Sequence, residues 1–226
     1  MSSIYQQALG TSFDRLHPQL QKRFGLTSDA GMTSISEGIM EEIWGGAFYM
    51  QPFLYFGTLK YITFPERGRN IPFSLQNYAY KDSMGRESVA WLRKFYFPKK
   101  VRRFDATMIY SADRNSVIDF LGKDRDLVTA IDMTVTNRGG IKLFSGPQTF
   151  VKKGMRVNIP MLFSGVAEAE EWYDDAEACF RIKVVANNRR FGTIFGYKGS
   201  FTTKYVHMNA SEMPADVQSS WEGHVE

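Results

Sequence analysis

Two groups of residues in this chain stand out as able to do chemistry: a lone arginine in an apolar stripe, and a pair of carboxylates two residues apart. If 89–97 is extended, Val89, Trp91, Arg93, Phe95 and Phe97 share one face, because successive side chains of a strand alternate. A guanidinium buried there without a partner is costly, so Arg93 demands a carboxylate, a set of carbonyls, solvent or an anionic ligand. In the segment 166–173 the same period puts Glu168 and Glu170 on one face, about 6 to 7 Å apart along the strand. Such a pair would work as general acid and base, with Tyr197 or Asp105 as a third group, or would serve as counter-charge to Arg93 or another arginine. Tyr197 sits between Gly196 and Gly199, where its hydroxyl either meets a cavity mouth or takes one hydrogen bond in the core.

Other chemistries lack support. His17, His207 and His224 are far apart and none has a second ligand-type residue at a helical or finger spacing, so no metal site is expected. The glycine spacing of a phosphate-binding loop is missing, and Gly192, Gly196 and Gly199 read as bulges or close backbone approaches in a β segment. Neither Phe144-Ser-Gly nor Phe163-Ser-Gly has the preceding glycine of a nucleophile elbow. Cys179, the single cysteine, alternates with Phe180 and Ile182 on the face of Arg181 and Lys183; it reads as a small structural residue, although basic neighbours would lower its pKa. Lys99, Lys100, Arg102 and Arg103 cluster beside Pro98 between two strand-like runs, as a solvated hairpin or as a surface contact for phosphate or an anionic membrane.

The elements that must position these groups are mostly strands. At the start, Ile4–Leu9 and the stretch after His17-Pro18 read as helices, and Phe13, Leu16, Leu20 and Phe24 recur at helical spacing as an amphipathic cap. Residues 47–59 fit neither period cleanly; we assign them as a buried helix broken at Pro52, with strand plus turn as the alternative. Beyond residue 70 the period becomes two, in runs near 71–75, 89–97, 104–110 and 127–135, and strands follow near 141–151, 165–173, 178–186, 191–197 and 200–207. Turn residues separate many of them: Asp82-Ser-Met-Gly-Arg, Asn137-Arg-Gly-Gly, Asp174-Asp-Ala-Glu and Asn187-Asn-Arg-Arg. Short connections force antiparallel pairing, since a parallel neighbour needs a long crossover. The expected fold is therefore α+β: an antiparallel β-meander of about eight strands, half-barrel or barrel, with an N-terminal helical cap.

Composition bounds the rest. A chain of 226 residues with 43% hydrophobic content is expected to form one domain over 1–208 with its own core. Residues 209–226 hold Glu212, Asp216, Glu222 and Glu226 and no Lys or Arg, so they read as an acidic, flexible tail or loosely docked helix, and a net charge of +4 leaves the body strongly basic. The basic residues are scattered and no recognition motif accompanies them, so nucleic acid is not an expected partner. No leader-like start and no apolar run long enough to span a bilayer is seen, which gives a cytoplasmic expectation.

Taken together, Trp91-x-Arg93-x-Phe95, the run Ala167-Glu-Ala-Glu-Glu-Trp-Tyr-Asp-Asp175, Phe180-x-Ile-x-Val184 and Gly196-Tyr-x-Gly199 resemble an uncharacterised bacterial family, domain of unknown function family 4166. Phe13-Asp-Arg-Leu-His-Pro fits it too, and the resemblance runs from about Ile4 to Val206. It implies small free-standing proteins or appended domains, some joined to dehydrogenase-like or membrane-associated partners, and brings no activity, cofactor or catalytic residue. The functional expectation is a non-enzymatic binding domain for a small amphipathic or acidic apolar ligand, with Trp91, Arg93, Phe95, Glu168, Glu170 and Tyr197 at the site and no cofactor. The alternatives are a hydrolase or isomerase built on Glu168 and Glu170, or a module that binds a protein or anionic membrane through Lys99, Lys100, Arg102 and Arg103.

Overall fold

The computed structural model describes residues 1–152, 155–159, 165–208, 212–215 and 217. Its N-terminal helices form where local chemistry favours them. Ser3 and Gln6 cap α1 (Ile4–Leu9) reciprocally, the Gln6 amide donating to Ser3 Oγ at 3.1 Å and the Ser3 amide to Gln6 Oε1 at 2.8 Å. After a 3₁₀ turn over Gly10–Arg15, Pro18 opens α2 (Pro18–Phe24), preceded by His17, whose Nδ1 accepts the Gln19 amide.

Among the described residues eleven strands follow: β1 (Met32–Gly45), β2 (Gly68–Lys81), β3 (Glu87–Phe97), β4 (Lys100–Ser111), β5 (Ser116–Leu121), β6 (Leu127–Val135), β7 (Ile141–Lys152), β8 (Met155–Asn158), β9 (Val166–Asp174), β10 (Cys179–Asn188) and β11 (Gly192–His207). Each neighbouring pair is antiparallel, in the order β6-β5-β4-β3-β2-β1-β11-β10-β9-β7, and β7 also pairs with β6, which closes a ten-stranded barrel. β8 hangs from β7 outside the ring. The expected α+β architecture with a barrel-like antiparallel sheet and an N-terminal helical cap is what the chain adopts.

The turns use the residues expected of them. Asp82 accepts the amides of Met84 and Arg86 at 3.0 and 2.8 Å; Asp174 accepts those of Ala176 and Glu177; Asn188 accepts those of Arg190 and Phe191. The stretches near 191–197 and 200–207 form one continuous strand, β11. Gly199 lies inside it because β1 bulges between Met40 and Glu42, and a Cβ on Gly199 would stand 2.2 Å from the Ile39 carbonyl oxygen. Gly196 leaves room for the Trp44 ring, which a Cβ would meet at 2.4 Å.

Inside the barrel, α1 and α2 fill one end with Ile4, Tyr5, Leu9, Leu20 and Phe24. The opposite end carries the long β1–β2 connection, with a 3₁₀ turn (Phe48–Met50) and α3 (Gln51–Leu59). Pro52 starts this helix instead of breaking it, and the helix is not buried as expected. Only Leu54 and Gly57 are enclosed, while Phe53, Tyr55, Phe56 and Leu59 face solvent. Of the expected acidic tail, Glu212 and Val217 fall among the described residues, whereas Asp216, Trp221, Glu222, His224, Val225 and Glu226 lie outside them. Val217 is buried on the outer face of β2 and β3 with Tyr78, Tyr80, Ala90 and Leu92, and its carbonyl accepts from Arg125 at 2.6 Å.

Candidate functional site

Between the helical plug and α3 the barrel holds a cavity of about 200 Å³. Most of its wall is apolar, from residues such as Phe104, Met108, Leu127, Ile131, Leu143 and Ile182. Strand alternation supplies that wall and also brings a few polar groups inward. Arg93 on β3, Asp119 on β5 and Tyr197 on β11 are chief among them.

Arg93 is 7% exposed and has neutral hydrogen-bond partners: its Nε donates to the Phe104 carbonyl at 2.8 Å, and Nη1 lies 3.5 Å from the Tyr197 hydroxyl. Its guanidinium stacks 3.9 Å over the Phe104 ring and 5.6 Å from the centre of Trp91. Asp119 is buried, and its Oδ1 has no hydrogen-bond partner. Burial pushes this carboxyl up to about 7, against a smaller opposing pull from the Arg93 charge. Tyr197 is wholly buried, and its phenol is raised by burial. Phe95 is fully buried behind the wall, its ring meeting those of Phe64 and Phe73 at a tilt and that of Tyr197 edge-on.

A second polar layer separates this cavity from the plug. Arg23 of α2 donates to Glu171 at 2.6 Å, to Ser36 at 3.2 Å and to Asn77 at 3.2 Å, and Ser34 also donates to Asn77. The rings of Trp91, Phe201 and Phe180 surround its guanidinium at 5.0 to 5.7 Å. Glu171 is raised by burial in spite of Arg23. Trp91 thus stands between two cations, and its Nε1 donates to Tyr5 at 2.9 Å, linking cavity and plug.

The structure brings Trp91, Arg93, Phe95 and Tyr197 together but separates the two glutamates from them. Glu168 and Glu170 do share a face, and it is the outer one: both pair with Lys142, at 3.3 and 3.5 Å. Glu170 borders the cavity, yet its carboxylate points to that lysine. The inward phase of β9 is Ala167, Ala169 and Glu171, one residue out of step with the expected one. Counter-charge is the geometry they adopt, toward a lysine rather than an arginine. Asp105 is tied to Arg103 at 2.6 Å, and its carboxyl is raised by burial.

The basic hairpin is largely neutralised. Arg102 grips Glu66 with two bonds of 2.8 and 2.5 Å, Lys100 reaches the same carboxylate at 3.3 Å, and Arg103 holds Asp105; Lys99 stands exposed at the tip. Cys179 is half-buried, and burial raises its thiol more than Arg181 lowers it. Among the described residues no cluster of three or more His, Cys, Asp or Glu is arranged to hold a metal ion, and no helix is long and apolar enough to cross a membrane.

Sequence reasoning missed Asp119, Glu171 and Arg23. Asp119 carried the same signal as Arg93, a charge within an apolar run (Val117, Asp119, Leu121), in a strand too short and too uniformly buried to show alternation.

The family model described as a domain of unknown function (DUF4166) matches residues 16–201, inside the span over which the resemblance was seen. A protein of Bacillus subtilis (strain 168), named uncharacterized protein YndH, is 37% identical over 201 residues, which are 89% of this chain and 97% of that protein. The chain belongs to the DUF4166 family of domains of unknown function.

Proposed function

We propose that this barrel binds a small amphipathic acid, its acidic end at Arg93 and its apolar part along the cavity wall, and does no covalent chemistry on it. The observation that carries the reading is a cation and a carboxyl with spare hydrogen-bonding capacity in an otherwise apolar cavity: Arg93 hydrogen-bonded to neutral groups, and Asp119 Oδ1 without a partner. Buried polar groups are normally satisfied, and pockets for small molecules combine apolar walls with a few placed polar groups.

The two groups suit a carboxylate better than a neutral head. Near neutral pH Asp119 is partly protonated, so it can donate to a ligand acid while Arg93 holds the charge. A bound anion would raise Asp119 further, so binding takes up a proton and weakens as pH climbs above about 7. The catalytic alternative loses support because Glu168 and Glu170 are spent on Lys142 outside the barrel.

Titration calorimetry with decanoate and decanol tests the proposal. Decanoate should bind, with an affinity falling between pH 6.5 and 8.5, and Arg93→Met should weaken it by about tenfold to a hundredfold, the worth of a charge-assisted hydrogen bond, while sparing decanol. Equal behaviour of acid and alcohol, or no binding of either, would discard it.

A further inference from the structure

The geometry points to a membrane-docking face at the α3 end of the barrel, built to lie on an anionic lipid bilayer. An ordinary surface helix turns its apolar stripe inward. In α3, Pro52, Tyr55, Phe56 and Leu59 recur at the spacing of one helical face, and that face is turned to solvent, with Phe56 66% and Leu59 64% exposed. The preceding turn adds Phe48, 84% exposed, and Tyr49. The inner side is shaped to hold the helix in that orientation: Gly57 faces Thr63 so closely that a Cβ would stand 2.3 Å from its methyl group. A contiguous aromatic surface of this kind marks an interaction site, and an aromatic-rich apolar helix face beside basic residues is the makeup of a helix that rests at the lipid headgroup level.

Charge selects the occupant. From Gly46 to Pro65 there is no Asp or Glu. Antiparallel alternation brings to this same end the β3–β4, β5–β6 and β10–β11 turns, the end of β7 and the start of β2. They carry Arg67, Lys99, Lys123, Lys152, Arg189 and Arg190, all exposed; the acidic residues of this end, Glu66, Asp124 and Asp126, are paired to Arg102 and Lys60, and of the six cations Lys123 and Lys152 lie near enough to Asp124 to help lower its carboxyl. Two are seated directly beside the aromatic segment: Arg67 donates to the Gly46 carbonyl, and Phe191, next to Arg190, packs against Tyr49 at 5.8 Å. Exposed aromatic groups at an end where cations outnumber carboxylates match a leaflet of anionic lipid, where the rings enter the interface and the cations meet phosphate. A protein partner would have to be acidic and apolar at once, and a second copy would set cation against cation. Phe53 belongs to both places, half-exposed on α3 and part of the cavity wall, so the docked face would open on the cavity.

The test is co-sedimentation of the full chain with vesicles of phosphatidylcholine alone and of phosphatidylcholine with phosphatidylglycerol. Binding should need phosphatidylglycerol, weaken with added salt, and drop at least tenfold for the double variant F56E/L59E and for R189E/R190E. Decanoate binding in vesicle-free buffer should be unchanged in both, which certifies their fold and separates this face from the cavity. Should the chain bind no decanoate at all, circular dichroism spectra and melting curves matching the parent take over that control. Wild-type affinity in F56E/L59E, equal binding to both vesicles, or a dimer in sedimentation velocity that F56E/L59E dissolves would each overturn the proposal.

Discussion

The two ends of the barrel are both closed by short helices, and they are closed in opposite senses. At the plug end α1 and α2 turn Ile4, Tyr5, Leu20 and Phe24 inward, carry side-chain caps, and are locked to the wall by Arg23 and Glu171. At the other end α3 has no side-chain cap and turns its aromatic residues outward. The charge differs as well. Segments joining strands near α3 hold Lys60, Arg67, Lys99, Lys123, Arg125, Arg189 and Arg190 against Glu66, Asp124 and Asp126, whereas those at the plug end hold Arg86, Arg114 and Arg138 against Asp82, Asp113, Asp175 and Glu177. One end is built for stability, and the other spends apolar surface where folding gains nothing from it.

Mutations should expose that asymmetry. The largest effect is expected for Arg23→Ala, which leaves the buried Glu171 carboxyl without its partner and should cost about 3–5 kcal/mol in urea unfolding; the double change R23M/E171Q should recover much of it. Leu20→Ala, in the plug, should cost about 2–5 kcal/mol by the same measurement. Next comes Asp119→Asn. The folded-state pKa of Asp119 lies above its unfolded value, so the native chain keeps a proton that the unfolded chain gives up near pH 4. Stability therefore falls as pH rises from about 4 to about 7 and is level above that. Asparagine should remove that fall, so the variant gains on the parent across this window in thermal melts at successive pH values; parallel curves would contradict the raised carboxyl. The smallest effect belongs to Phe56→Ser, which should change stability by no more than about 0.5 kcal/mol. A large loss there would mean that α3 packs as the plug does.

How far the sequence could be read follows the same division. β3, β4 and β6 were legible, with Arg93 in place, because large apolar residues recur at every second position of their sequences, although β3 and β4 are buried on both faces over Ser88–Arg93 and Asp105–Ile109. β1 was not, because its inward residues Ser34 and Ser36 are polar partners of the Arg23 cluster, while Ile35 and Ile39 point outward. Hydrophobic period cannot find a strand whose core face is polar. β5 was missed for the opposite reason, since all six of its residues are buried. In β9 both phases contain glutamate, so composition offered no way to choose Glu171 over Glu168 and Glu170. The helix at α3 was readable from its residues, but its orientation was not, because periodicity gives a stripe and not the medium it faces.

The closing strand of the barrel holds a further consequence. Among the described residues β7 pairs with β9 over Ile141–Phe144 and with β8 over Thr149–Lys152, and between those stretches Ser145 Oγ accepts the Ala167 amide at 2.7 Å, the Gln148 side chain donates to the Gly165 carbonyl at 3.3 Å, and the Gln148 carbonyl accepts the Ile159 amide at 2.9 Å. Among the described residues, side-chain bonds join β7 to the start of β9 there, and Ser145, Gln148 and Gly165 all border the cavity. Breathing of the cylinder should begin at this seam, and its amides should trade hydrogen for deuterium well before those of β2 and β3.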